Sequence, residues 1–264
     1  MPALFVSHGS PMIVLDESPA RAFLESLGPD LPRPTAILVI TAHFEATEPT
    51  LTTAAKPAMI YDFGGFPEPL YRMTYPAPGG PDLAAKAAGL LRDAGFSPRV
   101  DPSRGLDHGT WTPLKLMYPA ADIPVVQLSV QPHRDARWHF ALGQALAPLR
   151  GEGVLIIGSG ALTHDLRAFF GRRAQVASSP EENAEAFATW MADAIETGRV
   201  DDVLEWETRA PAALQNHPTP EHVLPLFVAM GAGGPSRRRI HRSMAFSDPI
   251  ESDRGSSLLF ERIF

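Results

Sequence analysis

The 264-residue sequence contains no cysteine, and this absence limits the chemistry open to the protein. Disulfide bonds and thiolate metal sites are excluded, so any bound metal ion must be held by nitrogen and oxygen ligands. The chain has no uninterrupted run of about 18 apolar residues, the length that a transmembrane helix needs. It also lacks the Gly-x-Ser-x-Gly motif, which argues against a serine hydrolase of the common α/β type.

Positive charge is scarce as well. The 23 Lys and Arg residues stand against 30 Asp and Glu residues, which gives a formal net charge of −7 and disfavours nucleic-acid and anionic-membrane partners. One dense basic run, Arg237 to Arg239 with Arg242, has no interleaved aromatic residues and is interpreted as a solvated loop. A strand pattern follows Pro2 directly, without a secretory signal, so we expect a cytoplasmic protein. The pattern leaves the oligomeric state open.

What the chain does contain is an alternation of short apolar runs and amphipathic stretches, which is typical of α/β proteins. No linker long enough to separate two domains interrupts it. We therefore predict one three-layer αβα domain, residues 1–264, around a mostly parallel or mixed central sheet. The predicted strands are 3–7, 36–42, 123–130, 154–158, 239–246 and 256–263, and the predicted helices are 82–95, 134–149 and 180–197.

Three histidines follow predicted strands. His8 and His43 each come directly after an apolar run, and His164 comes shortly after the run at 154–157. Ligands of open α/β sheets bind outside the carboxyl ends of parallel strands, so these imidazoles are candidates for a shared metal pocket. Gly158 and Gly160 match a dinucleotide fingerprint only in part, because Thr163 stands where its third glycine belongs.

A fourth candidate, His222, lies in a predicted helix start with Thr219 as N-cap and Pro220 as first residue. A helix N-terminus disfavours the charged ring, and a neutral imidazole is the form that binds metals. His108 follows Asp107, which either orients a ring or caps a helix. The remaining histidines have neither strand-end placement nor useful neighbours and are interpreted as structural; they are His133, His139, His217 and His241.

The segment 57–80 is rich in proline and glycine, which leaves little room for regular structure. Two interpretations stay open at this point: a lid over an aromatic ligand, or a packed surface loop. Arg72 and Arg104 are candidate anchors for a substrate carboxylate. The aromatic residues of the segment are Tyr61, Phe63, Phe66, Tyr71 and Tyr75.

Taken together, these motifs resemble the DOPA-dioxygenase-like branch of the class III extradiol ring-cleavage dioxygenases. The resemblance runs from residue 2 to the C-terminal strand, and the motifs keep their order along the chain. The residues that carry it are His8-Gly9-Ser10-Pro11, Thr41-Ala42-His43, Asp62-Phe63-Gly64-Gly65-Phe66-Pro67, Tyr75-Pro76-Ala77-Pro78-Gly79, Asp107-His108-Gly109-Thr110-Trp111, Gly158-Ser159-Gly160 through His164, and Pro218-Thr219-Pro220-Glu221-His222.

The resemblance implies a single αβα domain in which His8, His43 and His222 hold one divalent metal ion. It places His164 beside the metal, as a further ligand or as the catalytic acid and base, and His108 in the wall of the pocket. The implied reaction is the opening of a catechol ring, of DOPA or another small phenolic, by O₂.

One departure from the class concerns the metal. Its catabolic members use two histidines and a glutamate, whereas this chain presents His222 directly after Glu221. Three imidazoles without a carboxylate suit Zn(II) as well as Fe(II). Two alternatives therefore stay open beside an Fe(II) dioxygenase: a zinc-dependent hydrolase using the same pocket, and a metal-binding relative without turnover.

Overall fold

The computed structural model describes residues 1–164, 180–234, 239–246 and 256–263, with side chains for 1–164 and 182–234. The strands are β1 (Ala3–Ser7), β2 (Ala36–Glu45), β3 (Thr50–Thr52), β4 (Arg99–Asp101), β5 (Val125–Val130), β6 (Val154–Gly160), β7 (Arg239–Phe246) and β8 (Ser256–Ile263). The helices are α1 (Pro19–Asp30), α2 (Glu68–Tyr71), α3 (Pro81–Asp93), α4 (His108–Met117), α5 (Ala136–Leu146), α6 (Pro180–Glu196), α7 (Val200–Leu204), α8 (Trp206–Arg209), α9 (Ala213–Asn216) and α10 (Leu224–Gly233), with 3-10 turns at Pro11–Val14 and Ala147–Glu152.

These strands form one mixed sheet in the order β4-β3-β5-β2-β6-β1-β8-β7. The central strands β5, β2, β6 and β1 run parallel, whereas β8 is antiparallel to β1 and β7, and β3 is antiparallel to β5. The carboxyl ends of the four parallel strands therefore lie along one edge, where ligands bind in this architecture. All six predicted strands are present; the sequence analysis missed β3 and β4, which have only three residues each.

Helices cover both faces of the sheet, as the αβα prediction requires. Along β2, Leu38 and Ile40 pack in a core with α3, α5 and α10, while Ile37 and Val39 pack in a second core with α1 and α4. Burial of each such side chain stabilises the fold by about 1.5–3 kcal/mol. The parallel strands are buried on both faces, which explains their continuous apolar sequences.

The three predicted helices are confirmed as α3, α5 and α6, with ends that differ by up to three residues. Helix α4 was not predicted, because nine of its ten residues are buried. Its sequence therefore lacks the alternation of polar and apolar residues by which a surface helix is recognised. The predicted helix start at Pro220 is wrong: α10 begins at Leu224, where Pro225 occupies the first turn. None of the helices in the described ranges has the length and apolar content needed to cross a membrane.

Helices α5 and α10 cross at two glycines. A Cβ atom at Gly143 would lie 2.0 Å from the carbonyl oxygen of Val228, and one at Gly231 would lie 2.0 Å from that of Phe140. Both distances are far shorter than van der Waals contact, so only glycine permits this approach. The crossing fixes the position of α10 and of the turn that precedes it.

The substitution Gly231→Ala is expected to lower the free energy of unfolding by about 1–3 kcal/mol, because the added methyl group forces the two helices apart. Urea denaturation followed by circular dichroism measures this change. The matched control is Gly89→Ala in α3, where a Cβ atom would meet nothing within 4 Å. In that variant the free energy of unfolding should rise by about 0.5–1 kcal/mol, because alanine has the higher helix propensity. Equal changes in the two variants would contradict the crossing contact.

His139 is a structural histidine, as predicted. The ring is fully buried in α5, where Nδ1 lies 2.8 Å from the carbonyl oxygen of Asp135 and Nε2 accepts from the backbone N–H of Gln131. Burial is the main reason that the pKa of His139 is lowered to about 4. Both ring nitrogens are satisfied in the neutral form, so protonation opposes folding.

Stability should therefore fall in acid. In the unfolded chain His139 binds a proton below pH 6.5, whereas in the folded chain it stays neutral down to about pH 4. The free energy of unfolding therefore decreases as the pH falls through this window. This group contributes up to about 1.4 kcal/mol per pH unit. Urea titrations at several pH values measure the free energy of unfolding of wild type and of His139→Gln. Plotted against pH, this free energy should have a shallower slope in His139→Gln, by about one bound proton. Identical slopes would exclude this role for His139.

Candidate metal centre

The carboxyl edge of the parallel strands gathers all five histidines that the sequence analysis assigned to the site. The ring centroids of His8 and His43 lie 4.9 Å apart, those of His43 and His222 lie 5.0 Å apart, and those of His8 and His222 lie 5.6 Å apart. His108 adds a ring 4.0 Å from His43, and His164 adds one 3.4 Å from His222. Residues from five separate parts of the chain thus form one imidazole cluster.

Tight backbone approaches bring these elements together. A Cβ atom at Gly160 would lie 2.1 Å from the carbonyl oxygen of His222, and one at Gly158 would lie 2.2 Å from that of Pro225. The backbone N–H of Ala161 donates to the same His222 carbonyl at 2.9 Å. The two glycines that partly match a dinucleotide motif therefore let the His222 turn and α10 pack against the end of β6.

A third glycine, Gly109, has the same function for α4. A Cβ atom there would lie 2.7 Å from Oγ1 of Thr41 and 2.9 Å from Cδ2 of His43. Because this position has no side chain, the first turn of α4 packs directly on the His43 ring. His108, the first residue of α4, is brought beside His43 in this way.

A hydroxyl group orients His8. Nδ1 of His8 lies 3.0 Å from Oγ of Ser159, and Ser159 donates its own hydroxyl proton to the carbonyl oxygen of Gly109. The hydroxyl oxygen is then an acceptor for His8, so Nδ1 of His8 carries the proton. Its Nε2 therefore presents a lone pair to the cluster.

One carboxylate contacts both His43 and His108. Oδ2 of Asp62 lies 3.4 Å from Nδ1 of His43, and Oδ1 lies 2.9 Å from Nδ1 of His108. Burial opposes ionisation of Asp62, but hydrogen bonding and charge interaction with His108 outweigh it and lower the pKa of Asp62 to about 2. Asp62 is thus an anion whose two carboxylate oxygens face Nδ1 of His43 and Nδ1 of His108.

Glu221 provides the corresponding acceptor for His222. Its Oε1 lies 3.0 Å from Nδ1 of His222 and accepts the hydroxyl proton of Thr219 at 3.1 Å. Burial works against the charged form, yet the bond with His222 lowers the pKa of Glu221 to about 2. This carboxylate orients the ring of His222, whose Nε2 remains free.

The three rings so oriented suit a metal ion. Nε2 of His8 and Nε2 of His43 lie 3.0 Å apart, and two lone pairs at this distance repel each other unless a cation or a proton lies between them. Nitrogen ligands about 2.1 Å from one metal ion, at right angles, would lie about 3 Å apart. The spacing of His8 and His43 therefore fits two ligands of one divalent metal ion, and the centroid of the His222 ring lies 5.6 and 5.0 Å from theirs.

The charge state of the rings agrees with this function. Burial, reinforced by the neighbouring imidazoles, lowers the pKa of His8 well below its usual value and that of His43 to about 2. Both rings are neutral near pH 7, which is the ligand form. Within the described part of the chain, two groups offer ligand atoms that all lie within 4.8 Å of one another: His8, His43 and His108, and His164, Glu221 and His222.

His164 stacks on His222 with an angle of 11° between the rings. Its backbone N–H donates to the carbonyl oxygen of Asn216 at 2.9 Å, which connects the end of β6 to α9. Burial is the main reason that the pKa of His164 is lowered to about 3, and the proximity of His222 adds to it. A neutral ring at this position can accept a proton from a molecule bound in the cluster.

The segment 57–80 is a packed loop that contributes one wall of the site. Phe63 contacts His108 edge-on, with ring centroids 5.7 Å apart, and packs on Phe66 and Tyr71. Tyr61 donates its hydroxyl proton to the carbonyl oxygen of Met73. Tyr75 is different: it is buried in the core beneath the loop.

Neither candidate carboxylate anchor is free in the structure. Arg72 is largely exposed and pairs with Glu68 at 3.1 Å. Arg104 donates to the carbonyl oxygen of His43 at 2.7 Å and pairs with the buried Asp107 at 3.1 Å. Arg104 therefore fixes the backbone of His43. Asp107 also caps α4 by accepting from the backbone N–H of Thr110, the ordinary role considered for it.

The other histidines lie outside the cluster. His133 is exposed, and His217 is buried with Nε2 2.7 Å from the carbonyl oxygen of Leu162. The side chain of His241 and the basic run Arg237 to Arg239 with Arg242 lie outside the residues whose side chains are described. Sequence analysis missed the orienting functions of Ser159 and Asp62; only Glu221, adjacent to His222, had a local signal.

A cluster of five imidazoles at the carboxyl edge of a mixed αβα sheet is typical of one class of protein, the α/β metalloenzymes. The chain belongs to a particular family within it, since residues 2–252 match the family model described as "Catalytic LigB subunit of aromatic ring-opening dioxygenase". The predicted extradiol family and its ring-opening activity are thereby confirmed.

Similar proteins support this assignment. The chain is 48% identical over 245 residues to "4,5-DOPA dioxygenase extradiol" of Beta vulgaris, covering 90% of each chain. It is 42% identical to the protein of that name from Escherichia coli K12, over 88% of this chain and 85% of that one. An uncharacterized Escherichia coli K12 protein of known crystal structure superposes with a TM-score of 0.72 at 34% identity, over 99% of both chains.

These comparisons decide among the functions that the sequence left open. The family and both curated relatives are ring-opening dioxygenases, so a small aromatic substrate and O₂ are the reactants of this class. They give no support to a zinc hydrolase or to a relative without turnover. The identity of the metal is not fixed by them.

Proposed function

We propose that the protein is an Fe(II)-dependent extradiol dioxygenase that acts on a catechol with a small side chain, with DOPA as the first substrate to test. The observation that carries the proposal is the convergence of His8, His43 and His222, each oriented at Nδ1 by its own acceptor. The names of the two curated relatives support a DOPA-like substrate. We further propose that residues 1–264 form one catalytic domain that works in the cytoplasm.

In this proposal His8, His43 and His222 hold the metal ion through Nε2. The bound metal supplies coordination positions at which the catechol oxygens and O₂ meet. Fe(II) is proposed over Zn(II) because activation of O₂ needs a metal that exchanges electrons, which zinc does not. Glu221 is assigned an orienting function, because its Oε1 contacts Nδ1 of His222 and accepts from the hydroxyl of Thr219.

His164 is the proposed acid and base. Its ring is neutral near pH 7 and lies against His222, so it can take the proton of one catechol hydroxyl and return it later in the reaction. His108 offers a ring nitrogen within 4.8 Å of those of His8 and His43, where it can accept a hydrogen bond from the second hydroxyl. Phe63, in edge contact with His108, would lie beside the aromatic ring.

The overall reaction balances without another reductant. The carbon–carbon bond next to one hydroxyl group breaks, and both atoms of O₂ enter the ring-opened product. One catechol proton passes to His164 and returns to the product, and the new carboxylic acid group releases its proton to solvent. The protein's contribution is to position the reactants and to move these protons.

Reconstitution tests the function directly. Protein loaded with Fe(II) without air, then mixed with DOPA and air, should consume one O₂ per catechol and form a yellow semialdehyde. An oxygen electrode and absorbance spectroscopy measure the two signals. Protein loaded with Zn(II) is the control and should show neither. No oxygen uptake across a panel of catechols with the iron-loaded enzyme would contradict the proposal.

Two histidine variants separate metal binding from proton transfer. His164→Ala should lower kcat by about 10²–10⁴-fold, the usual contribution of a general acid or base, while it retains more metal than His43→Ala does. Metal analysis and oxygen uptake measure the two effects.

His133→Ala is the matched control, because His133 is exposed and lies outside the cluster; it should retain metal and activity. If His164→Ala and His43→Ala lose metal equally, His164 is a ligand rather than a proton carrier.

A further inference from the structure

Asp62 lies between two histidines with different proposed functions. Its Oδ2 is 3.4 Å from Nδ1 of His43, and its Oδ1 is 2.9 Å from Nδ1 of His108 and 3.0 Å from the backbone N–H of the same residue. Each carboxylate oxygen thus faces a different imidazole. Both approaches to Nδ1 are close charge contacts rather than hydrogen bonds, and the buried Nδ1 of His108 has no hydrogen-bond partner among the described residues.

This arrangement determines where the ring protons lie. A carboxylate only accepts hydrogen bonds, so its position beside the two Nδ1 atoms favours a proton on each Nδ1 and a lone pair on each Nε2. Neither contact has ideal hydrogen-bond geometry, as expected when two rings share one carboxylate. For His43, the result is an Nε2 lone pair that faces Nε2 of His8 at 3.0 Å.

The surroundings leave the rings little freedom to turn away. His43 is packed against Gly109 and has its carbonyl oxygen held by Arg104, while the His108 ring contacts Phe63. Both rings keep their Nδ1 edges toward Asp62, whose side chain is 23% exposed. Among the described residues, Asp62 is the carboxylate that lies within 4 Å of the ring nitrogens of His43 and His108.

We propose that Asp62 is a positioning residue that orients a metal ligand, His43, and a pocket residue, His108, from one carboxylate. The orientation of the two histidines is therefore coupled, and loss of Asp62 disturbs metal binding and substrate binding together. This inference rests on the proposed function for the identity of His43 as a ligand. The proton positions themselves do not depend on it.

The first test measures those positions in the wild-type protein loaded with Zn(II), because the Nε2 lone pairs of His8 and His43 lie only 3.0 Å apart and need a cation between them. Long-range ¹H–¹⁵N spectra of labelled histidines distinguish the two neutral forms, and signals are assigned by their loss in His43→Ala and His108→Ala. Both rings should be protonated at Nδ1 at pH 7.5. A ring protonated at Nε2 in wild type would overturn the proposal, and this measurement needs no Asp62 variant to fold.

The second test removes the carboxylate. Asp62→Asn should shift at least one of the two rings toward the Nε2-protonated form and weaken Zn(II) binding by about 10–100-fold, the usual effect of losing a partner of a ligating histidine. Competition with a chromophoric chelator measures the affinity for Zn(II) alone. In the Fe(II) enzyme, KM for the catechol should rise and kcat should fall.

Asp135→Asn is the matched control. Asp135 accepts a backbone N–H at the start of α5 just as Asp62 does at the start of α4, but it does not contact the cluster. It should leave the ring protons of His43 and His108 and the Zn(II) affinity unchanged. If Asp62→Asn, shown to be folded by circular dichroism, behaves like Asp135→Asn, the proposal is wrong.

The two proposals fail in different ways. Absence of oxygen uptake by the Fe(II) wild-type enzyme would contradict the dioxygenase function and leave the proton positions intact. An unchanged Zn(II) affinity in Asp62→Asn would contradict the positioning role even if the wild-type enzyme consumes oxygen.

Discussion

The site depends on one electrostatic constraint: several imidazoles are buried together, and burial lowers the pKa of His8, His43 and His164 so that these rings are neutral near pH 7. A neutral ring has one protonated nitrogen and one lone pair, so its function depends on which nitrogen is protonated. In this protein an acceptor lies beside Nδ1 of each of three rings and favours the proton at that nitrogen. The acceptors are Ser159 for His8, Asp62 for His43, and Glu221 for His222. The lone pairs at Nε2 then face the interior of the cluster.

These acceptors come from different elements, and close backbone packing brings them to the same place. Gly109, Gly158 and Gly160 each lie where a Cβ atom would collide with a neighbouring segment. The lack of side chains at these positions allows α4 and the His222 turn to approach β2 and β6. The precision of the site therefore comes from the backbone as much as from the imidazoles.

Much of this could be predicted from sequence because the signals are local. The apolar runs of β1, β2, β5 and β6 are buried on both faces, so their continuous hydrophobicity predicted a parallel sheet, and its carboxyl edge predicted where His8 and His43 would meet. The helices α4 and α10 were harder, since full burial removes the periodicity that marks a surface helix. The start of α10 was misplaced because Pro220 precedes a turn at 221–223, whose sequence resembles a helix start.

The sequence by itself determined the sheet, the absence of thiolate ligands and the set of imidazoles available for a metal. Only the tertiary structure decided how those imidazoles are oriented, that Asp62 serves two of them, and that Arg104 is committed to the His43 backbone. The physical reason is the separation along the chain of the residues that interact. Burial and strand formation are governed by neighbours along the chain, whereas a hydrogen bond between Asp62 and His108 joins residues that only folding brings together.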